Sequence, residues 1–333
     1  MLRRLLPVLL LVFLLFGCSR TEAAFVERAE VGEFIEEMVA RHDFDRAELV
    51  TLFTAAERQQ GIIDAISRPA ERVLTWGEYR EIFLDHARIE QGLEFWDKHA
   101  KDLARAEAEY GVPPEVIVAI IGVETRYGRN KGRWRVLDAL STLAFDYPPR
   151  APFFRRELEA FLLLAREEKR PATELYGSYA GAMGYGQFIP SSYRAYAVDF
   201  TGNATRDIWD DPVDAIGSVA NYLAVHSWRD GEEVTRQVAL GAGDVSALVN
   251  SSLRPDTTVG ELRSLGVDGL DGLDEGAAAT LVELQARDAT LHFVGLTNFY
   301  AITRYNHSRL YAMAVHELSQ AVLERHLARL AGR

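Results

Sequence analysis

The stretch IIGVETRYG, residues 120–128, ends an apolar run with a carboxylate. A helix through it puts Ile120 and Ile121 one turn behind Glu124 on the same face, and Ile117 a further turn back. A carboxyl at the end of such a helix loses solvation, which raises its pKa and keeps it protonated near neutrality. That is the state a general acid needs to protonate a glycosidic oxygen, whose own basicity is negligible. The competing reading is a surface glutamate paired with Arg126 or Arg129.

A second stretch, GSYAGAMGYGQFIPSSY (177–193), concentrates glycine, aromatics and small polar groups. Gly177, Gly181, Gly184 and Gly186 let a backbone approach a ligand closely. The spacing is not that of a phosphate loop, and no Lys-Ser/Thr follows. Tyr179, Tyr185, Phe188 and Tyr193 offer flat apolar surface beside the polar groups of Ser178 and Gln187, a mixture suited to sugar hydroxyls and N-acetyl amides. A tight helix–loop–helix packing site would read the same way. In DFTGNATRDIWDDPVD, Asp199, Thr201, Asn203 and Thr205 alternate like the first oxygen ligands of a calcium loop, with Asp214 among the acids able to close it. Ala204 stands where such a loop wants glycine, and no glutamate closes the twelfth position. In NFYAITRYNHSRLYAM, Tyr305 and Asn306 precede the N-cap of a last helix, over a neighbouring cleft or simply in an interhelical turn. The eight histidines show no metal-binding spacing, and no GxSxG elbow or assembled Ser/His/Asp triad is present.

The elements that must hold these residues are mostly helical. Pro113 and Pro114 suit the first turn of the helix that ends at Glu124, with Gly128 as its stop. Upstream, VGEFIEEMVA, DRAELVTLFTAAERQQGIIDAI and a long TWGEYREIF…AEAEYG segment bent near Gly92 read as amphipathic helices. Residues 236–300 hold short β-leaning pieces among Gly and Asp clusters, and a final helix opens at Ser308 and runs to about Leu330. The expectation is a mainly α (α+β) chain. Residues 18–110 form a helical portion, 111–235 a catalytic core and 236–300 a small β-containing portion. Residues 301–333 form a C-terminal helix packing back on the helical portion.

The chain has 333 residues, 48% hydrophobic and 26% charged, with formal charge −12. Those are globular values, and the acidic balance gives no footprint for nucleic acid. Residues 1–17, with Arg3 and Arg4 before an apolar run too short to span, read as a signal peptide. Cys18 is the only cysteine, which excludes an intramolecular disulfide, a thiolate zinc site and a catalytic cysteine. The leader ends in LFGCS, which resembles a bacterial lipoprotein processing site, against the alternative of plain secretion.

Taken together, GVPPEVIVAIIGVETRYGR, LDALSTLAFDYPPRAPFFRRELEAFLLLAREE, GSYAGAMGYGQFIPSSYRAYAVDF, WDDPVDAIGSVANYL and ITRYNHSRLYAMAV resemble the membrane-bound lytic murein transglycosylase B family. The resemblance implies a lysozyme-like core and cleavage of the β-1,4 bond between N-acetylmuramic acid and N-acetylglucosamine in peptidoglycan, leaving 1,6-anhydromuramyl ends. It implies Glu124 as the single catalytic acid/base, and Arg150, Phe153, Ser178, Tyr185, Gln187, Tyr305 and Asn306 as substrate-binding positions. Arg150 lies in YPPRAPFF, where the family pattern has a second arginine at Pro149 and a tyrosine at Phe153. A calcium loop at Asp199, Thr201, Asn203, Thr205 and Asp214 is implied too, with Asn203 in place of a carboxylate, so weak or absent metal binding is expected and no cofactor is required. The implied partners are glycan strands, an outer-membrane lipid anchor through Cys18 and complexes of cell-wall enzymes, on the periplasmic face of the outer membrane. A muramidase that lets water attack, a non-catalytic peptidoglycan-binding lipoprotein and a calcium-binding structural protein are the alternatives.

Overall fold

The computed structural model describes residues 24–67 and 74–332. The leader and Cys18 lie outside the described residues. Two compact units are delimited, one up to Thr54 and one from Ala55 onward. The first holds α1 (Ala29–His42) and most of α2 (Arg46–Ala55), with Phe34 and Phe53 meeting edge to face at 5.8 Å.

In the second unit the chain runs through α3 (Gln60–Ser67), α4 (Trp76–Phe83), α5 (His86–Tyr110), α6 (Pro114–Thr125), β1 (Trp134–Arg135), α7 (Val136–Asp146), α8 (Ala151–Glu167), β2 (Tyr176–Gly177), α9 (Pro190–Tyr196) and α10 (Pro212–Val225). It continues with β3 (Thr235–Leu240), β4 (Thr257–Thr258), α11 (Val259–Ser264), β5 (Val267–Asp268), β6 (Ala278–Gln285), β7 (Thr290–Gly295), α12 (Thr297–Tyr305) and α13 (Arg309–Ala331). Helices therefore dominate, and β4-β6-β7-β3-β5 form one antiparallel sheet over a small core of Val238, Leu262, Leu281 and Val294.

Two expected helices are each divided. DRAELVTLFTAAERQQGIIDAI breaks into α2 and α3 at residues 56–59, because α7 offers the backbone better acceptors there. The Glu57 N–H donates to Asp138 Oδ1 (2.9 Å) and the Gln59 N–H to Thr142 Oγ1 (3.0 Å). The long TWGEYREIF…AEAEYG segment divides into α4 and α5, since the Asp85 side chain caps the N–H of Arg88 and starts a new helix. Its later irregularity falls at His99 (φ −114°, ψ 20°), not at Gly92.

Helix α6 is the buried axis of the second unit. Residues 116–121 are at most 3% exposed, and α5, α10 and α13 pack around the helix. An all-round apolar sequence is stable only when surrounded in this way. Pro113 is its N-cap and Pro114 its first residue. α13 lies along α6 and also packs on α4 and α5, so one helix end carries Glu124 while its neighbours supply the walls.

Candidate active site

α6 ends one turn before Gly128. Arg126 (φ 51°) and Tyr127 (φ 60°) already take the left-handed conformation, and the Arg126 N–H closes on the carbonyl of Gly122 at 3.1 Å. Thr125 secures this turn: its hydroxyl donates to the Tyr185 carbonyl (3.0 Å) and accepts from the Gly128 N–H (2.9 Å). Gly128 itself (φ 85°) is needed for space, since a Cβ there would stand 2.2 Å from the ring of Tyr185. The turn thus fastens the end of α6 to the 177–189 loop.

Glu124, on the last turn of α6, is half-buried. Neither arginine is its partner: Arg126 bonds Gln91 and Asp85, and Arg129 reaches Glu94. Its contact is instead the phenol of Tyr311 on α13, which donates to Glu124 Oε1 at 2.6 Å. Burial pushes the Glu124 carboxyl up to about 7, against the Tyr311 hydrogen bond, which lowers it. No second acid among the described residues bonds it or contributes to that shift. Tyr79 on α4 and Tyr305 at the end of α12 both have raised phenol pKa values, through burial first and then the Glu124 charge. Tyr305 and Tyr311 are near parallel with ring centroids 6.4 Å apart. Glu124 therefore sits in a box of phenols rather than of ions.

Tyr79 and Tyr311 were not singled out from the sequence. The Tyr311–Glu124 pair is separated by 187 positions. The only local sign of Tyr311 is its place at the third position after the Ser308 cap, where Ser308 Oγ accepts from its N–H.

Five of the expected substrate positions come together. Arg150, Phe153, Gln187, Tyr305 and Asn306 line one cavity of about 550 Å³, which also meets Phe188, Tyr222 and Arg304. The Tyr305 hydroxyl donates to the Gly186 carbonyl at 2.6 Å, tying α12 to the glycine-rich loop. Gln187 (φ 51°) spends its amide nitrogen on the carbonyls of Gly184 (2.9 Å) and Lys131 (3.3 Å), leaving its amide oxygen for the cavity. Ser178 and Tyr185 do not line this cavity. Ser178 Oγ accepts the N–H groups of Ala180 and Ala182, closing the loop, and retains a proton to donate. Tyr185 lies over the end of α6 with the Lys131 ammonium 4.9 Å from its ring.

The calcium-type residues arrange differently from a metal cage. Asp199 accepts four hydrogen bonds, from Thr201 Oγ1 and the N–H groups of Gly202, Asn203 and Ala204. Asp214, fully buried, accepts the N–H groups of Phe200, Thr201 and Asp207. Asn203 Oδ1 is taken by Thr205. With these oxygens turned onto the backbone, the donor set as folded does not fit an ion that takes six to eight oxygens. Among the described residues no cluster of three or more His, Cys, Asp or Glu could hold a metal ion.

The Transglycosylase SLT domain family matches residues 27–320. The chain is 43% identical over 307 residues to the membrane-bound lytic murein transglycosylase B of Escherichia coli K12, covering 90% of this chain and 84% of that protein. Among solved structures, the catenated lytic transglycosylase SltB1 of Pseudomonas aeruginosa superposes with a TM-score of 0.88 at 51% identity, covering 90% of this chain and 99% of that one. The Escherichia coli lytic transglycosylase Slt35, solved in complex with calcium, gives 0.82 at 44% identity, over 92% and 95% of the two chains. The half-buried acid on its apolar helix and the glycine-rich loop tied to it thus sit in a mainly α fold with a lysozyme-like core, and the chain belongs to the SLT-domain family of peptidoglycan lytic transglycosylases.

Proposed function

We propose that Glu124 is the single acid/base of a reaction that cleaves the β-1,4 bond from N-acetylmuramic acid to N-acetylglucosamine and leaves a 1,6-anhydromuramyl end. One observation carries this: a carboxyl pushed up to about 7 by burial, bonded to a phenol and perturbed by no other acid among the described residues. Near neutrality both its protonation states are populated. Protonated Glu124 gives its proton to the glycosidic oxygen as the C1–O bond breaks, and positive charge develops at C1. The N-acetyl group of the same sugar stabilises that charge, so no second carboxylate is required. Ionised Glu124 then takes the proton of the C6 hydroxyl, whose oxygen bonds to C1. The proton count balances and no water is consumed.

In this reading Arg150, Phe153, Gln187, Tyr305 and Asn306 hold the strand in the cavity, while Ser178 and Tyr185 act from the loop beside the end of α6. The portions 18–110, 111–235, 236–300 and 301–333 serve as helical support, catalytic core, β-containing portion and closing helix. Cys18 carries the lipid that holds the protein at the periplasmic face of the outer membrane, among other cell-wall enzymes. No helix of the described residues is long and apolar enough to cross a membrane. Calcium has no step in the chemistry.

The test is clearance of a peptidoglycan suspension by the parent and by Glu124→Gln. Loss of the general acid lowers the rate by about 10²–10⁴-fold with the melting curve still cooperative. A variant as active as the parent overturns the assignment.

A further inference from the structure

The three residues that follow α6 are all left-handed: Arg126 (φ 51°), Tyr127 (φ 60°) and Gly128 (φ 85°). Glycine enters that region freely, whereas arginine and tyrosine stay there only when their surroundings impose it. For both residues the constraint comes from α5. The Arg126 guanidinium forks onto this helix, Nε donating to Gln91 Oε1 (2.8 Å) and Nη2 to Asp85 Oδ1 (3.2 Å). The same Asp85 oxygen accepts the Arg88 N–H and caps α5. The Tyr127 ring enters between α5 and α6, where a Cβ on Gly92 or on Gly122 would stand 2.6 Å from its hydroxyl oxygen. Side-chain bonds therefore hold one of the two residues, and helix packing holds the other.

Arg126 has no direct hold on the Glu124 carboxyl. The titratable groups that face the carboxyl are the phenols of Tyr79 on α4, Tyr305 at the end of α12 and Tyr311 on α13, and no charged group adds to its shift. An influence of Arg126 on Glu124 therefore passes through the backbone, across the single residue between them. The Tyr311–Glu124 bond of 2.6 Å tolerates little displacement, since hydrogen bonds weaken steeply with misalignment. α13, which brings Tyr311, packs on both α5 and α6. A turn pinned to α5 keeps carboxyl and phenol in one frame. We infer that Arg126 is a positioning residue: its fork onto Asp85 and Gln91 sets where the last turn of α6 presents Glu124 to Tyr311. Its effect on rate rests on the glycan-cleaving reading above, whereas its effect on the carboxyl does not.

The test follows the Glu124 carboxyl by NMR across pH, in protein carrying carbon-13 glutamate, with Glu124→Gln to assign the signal. Turnover of a tetrasaccharide of alternating N-acetylglucosamine and N-acetylmuramic acid is measured beside it. Arg126→Gly removes the fork and also frees the left-handed backbone of its Cβ, so the melting temperature is held. The Glu124 midpoint rises above that of the parent, because a weakened Tyr311 bond no longer lowers it. At the same time kcat falls about tenfold while KM stays within about twofold. Gln91→Met removes one of the two acceptors and moves both readings the same way by less. Arg126→Lys keeps the charge but cannot serve both acceptors, and behaves as Arg126→Gly does. In a Tyr311→Phe background, Arg126→Gly shifts the midpoint no further. An unmoved midpoint and kcat in Arg126→Gly, full recovery in Arg126→Lys, or an equal further shift in the Tyr311→Phe background overturns the inference. Lost kcat with an unmoved midpoint and a lowered melting temperature makes the role of Arg126 structural and overturns it as well. Failure of the glycan-cleaving reading shows separately, as an inactive parent whose Glu124 midpoint still responds to Arg126→Gly.

Discussion

At the scale of the residue, two opposed effects set the Glu124 carboxyl. Burial raises it and the Tyr311 hydroxyl, by donating to the ionised form, lowers it. With Glu124 as the proposed general acid, bond cleavage needs its protonated form, so kcat/KM is expected to fall as pH rises through about 7. Tyr311→Phe removes the lowering contact, so the alkaline limb of the pH–rate profile moves to higher pH, and kcat drops about tenfold because the ionised form is less well held. A pH profile that does not move in that variant contradicts the role given to Tyr311. The same pKa fixes a stability signature. A carboxyl raised from 4.5 to about 7 on folding adds stability that is fully present below pH 4.5 and lost as pH rises through about 7. Glu124→Gln escapes that loss, so denaturant titrations should show it gaining on the parent between pH 5 and pH 8, by on the order of 2–3 kcal/mol. Glu124 stood out in the sequence because its signal is local: a carboxylate at the end of an apolar run, with Ile117, Ile120 and Ile121 within two turns. Tyr311 and Tyr79 did not, because their contact with it depends on how α13 and α4 pack.

At the scale of the element, the 199–205 loop shows how a metal-loop pattern can be kept by hydrogen bonds. Ala204 holds φ 68°, the left-handed conformation that the sequence reading assigned to glycine, because Asp199 draws in three consecutive N–H groups from Gly202 to Ala204. A left-handed alanine costs about 1–2 kcal/mol. Ala204→Gly therefore stabilises by about 0.5–1 kcal/mol once glycine's extra unfolded-state entropy is subtracted. Millimolar calcium leaves the melting temperature of the parent where it was, and an upward shift would contradict the donor-set argument. The divided helices carry a related lesson. Hydrophobic periodicity continues through residues 56–59, and only the side chains of α7, more than 80 positions away, show why the backbone leaves the helix there. Capping signals within one segment were dependable by contrast. Ser308 opens α13 as its sequence indicates, and Pro114 opens α6.

At the scale of the whole molecule, a buried helix surrounded by others carries Glu124 at its end, and a glycine-rich loop is fastened beside it through Thr125 and Tyr305. Cavity membership divides the expected substrate residues: Arg150, just before α8, and Asn306, at the end of α12, come to one cavity only in the folded chain. The family resemblance proposed those positions, whereas residue types alone left each one open. The leader predicts that the native chain fractionates with membranes and that Cys18→Ala releases it, which a membrane sedimentation assay with an immunoblot would check. An unaltered membrane fraction would remove the anchor. The most direct test of the central claim is mass spectrometry of peptidoglycan fragments released by residues 19–333. The single-acid account predicts muramyl ends in the 1,6-anhydro form, absent when Glu124 is glutamine. Reducing muramyl ends, one water heavier, would contradict it and make water the nucleophile.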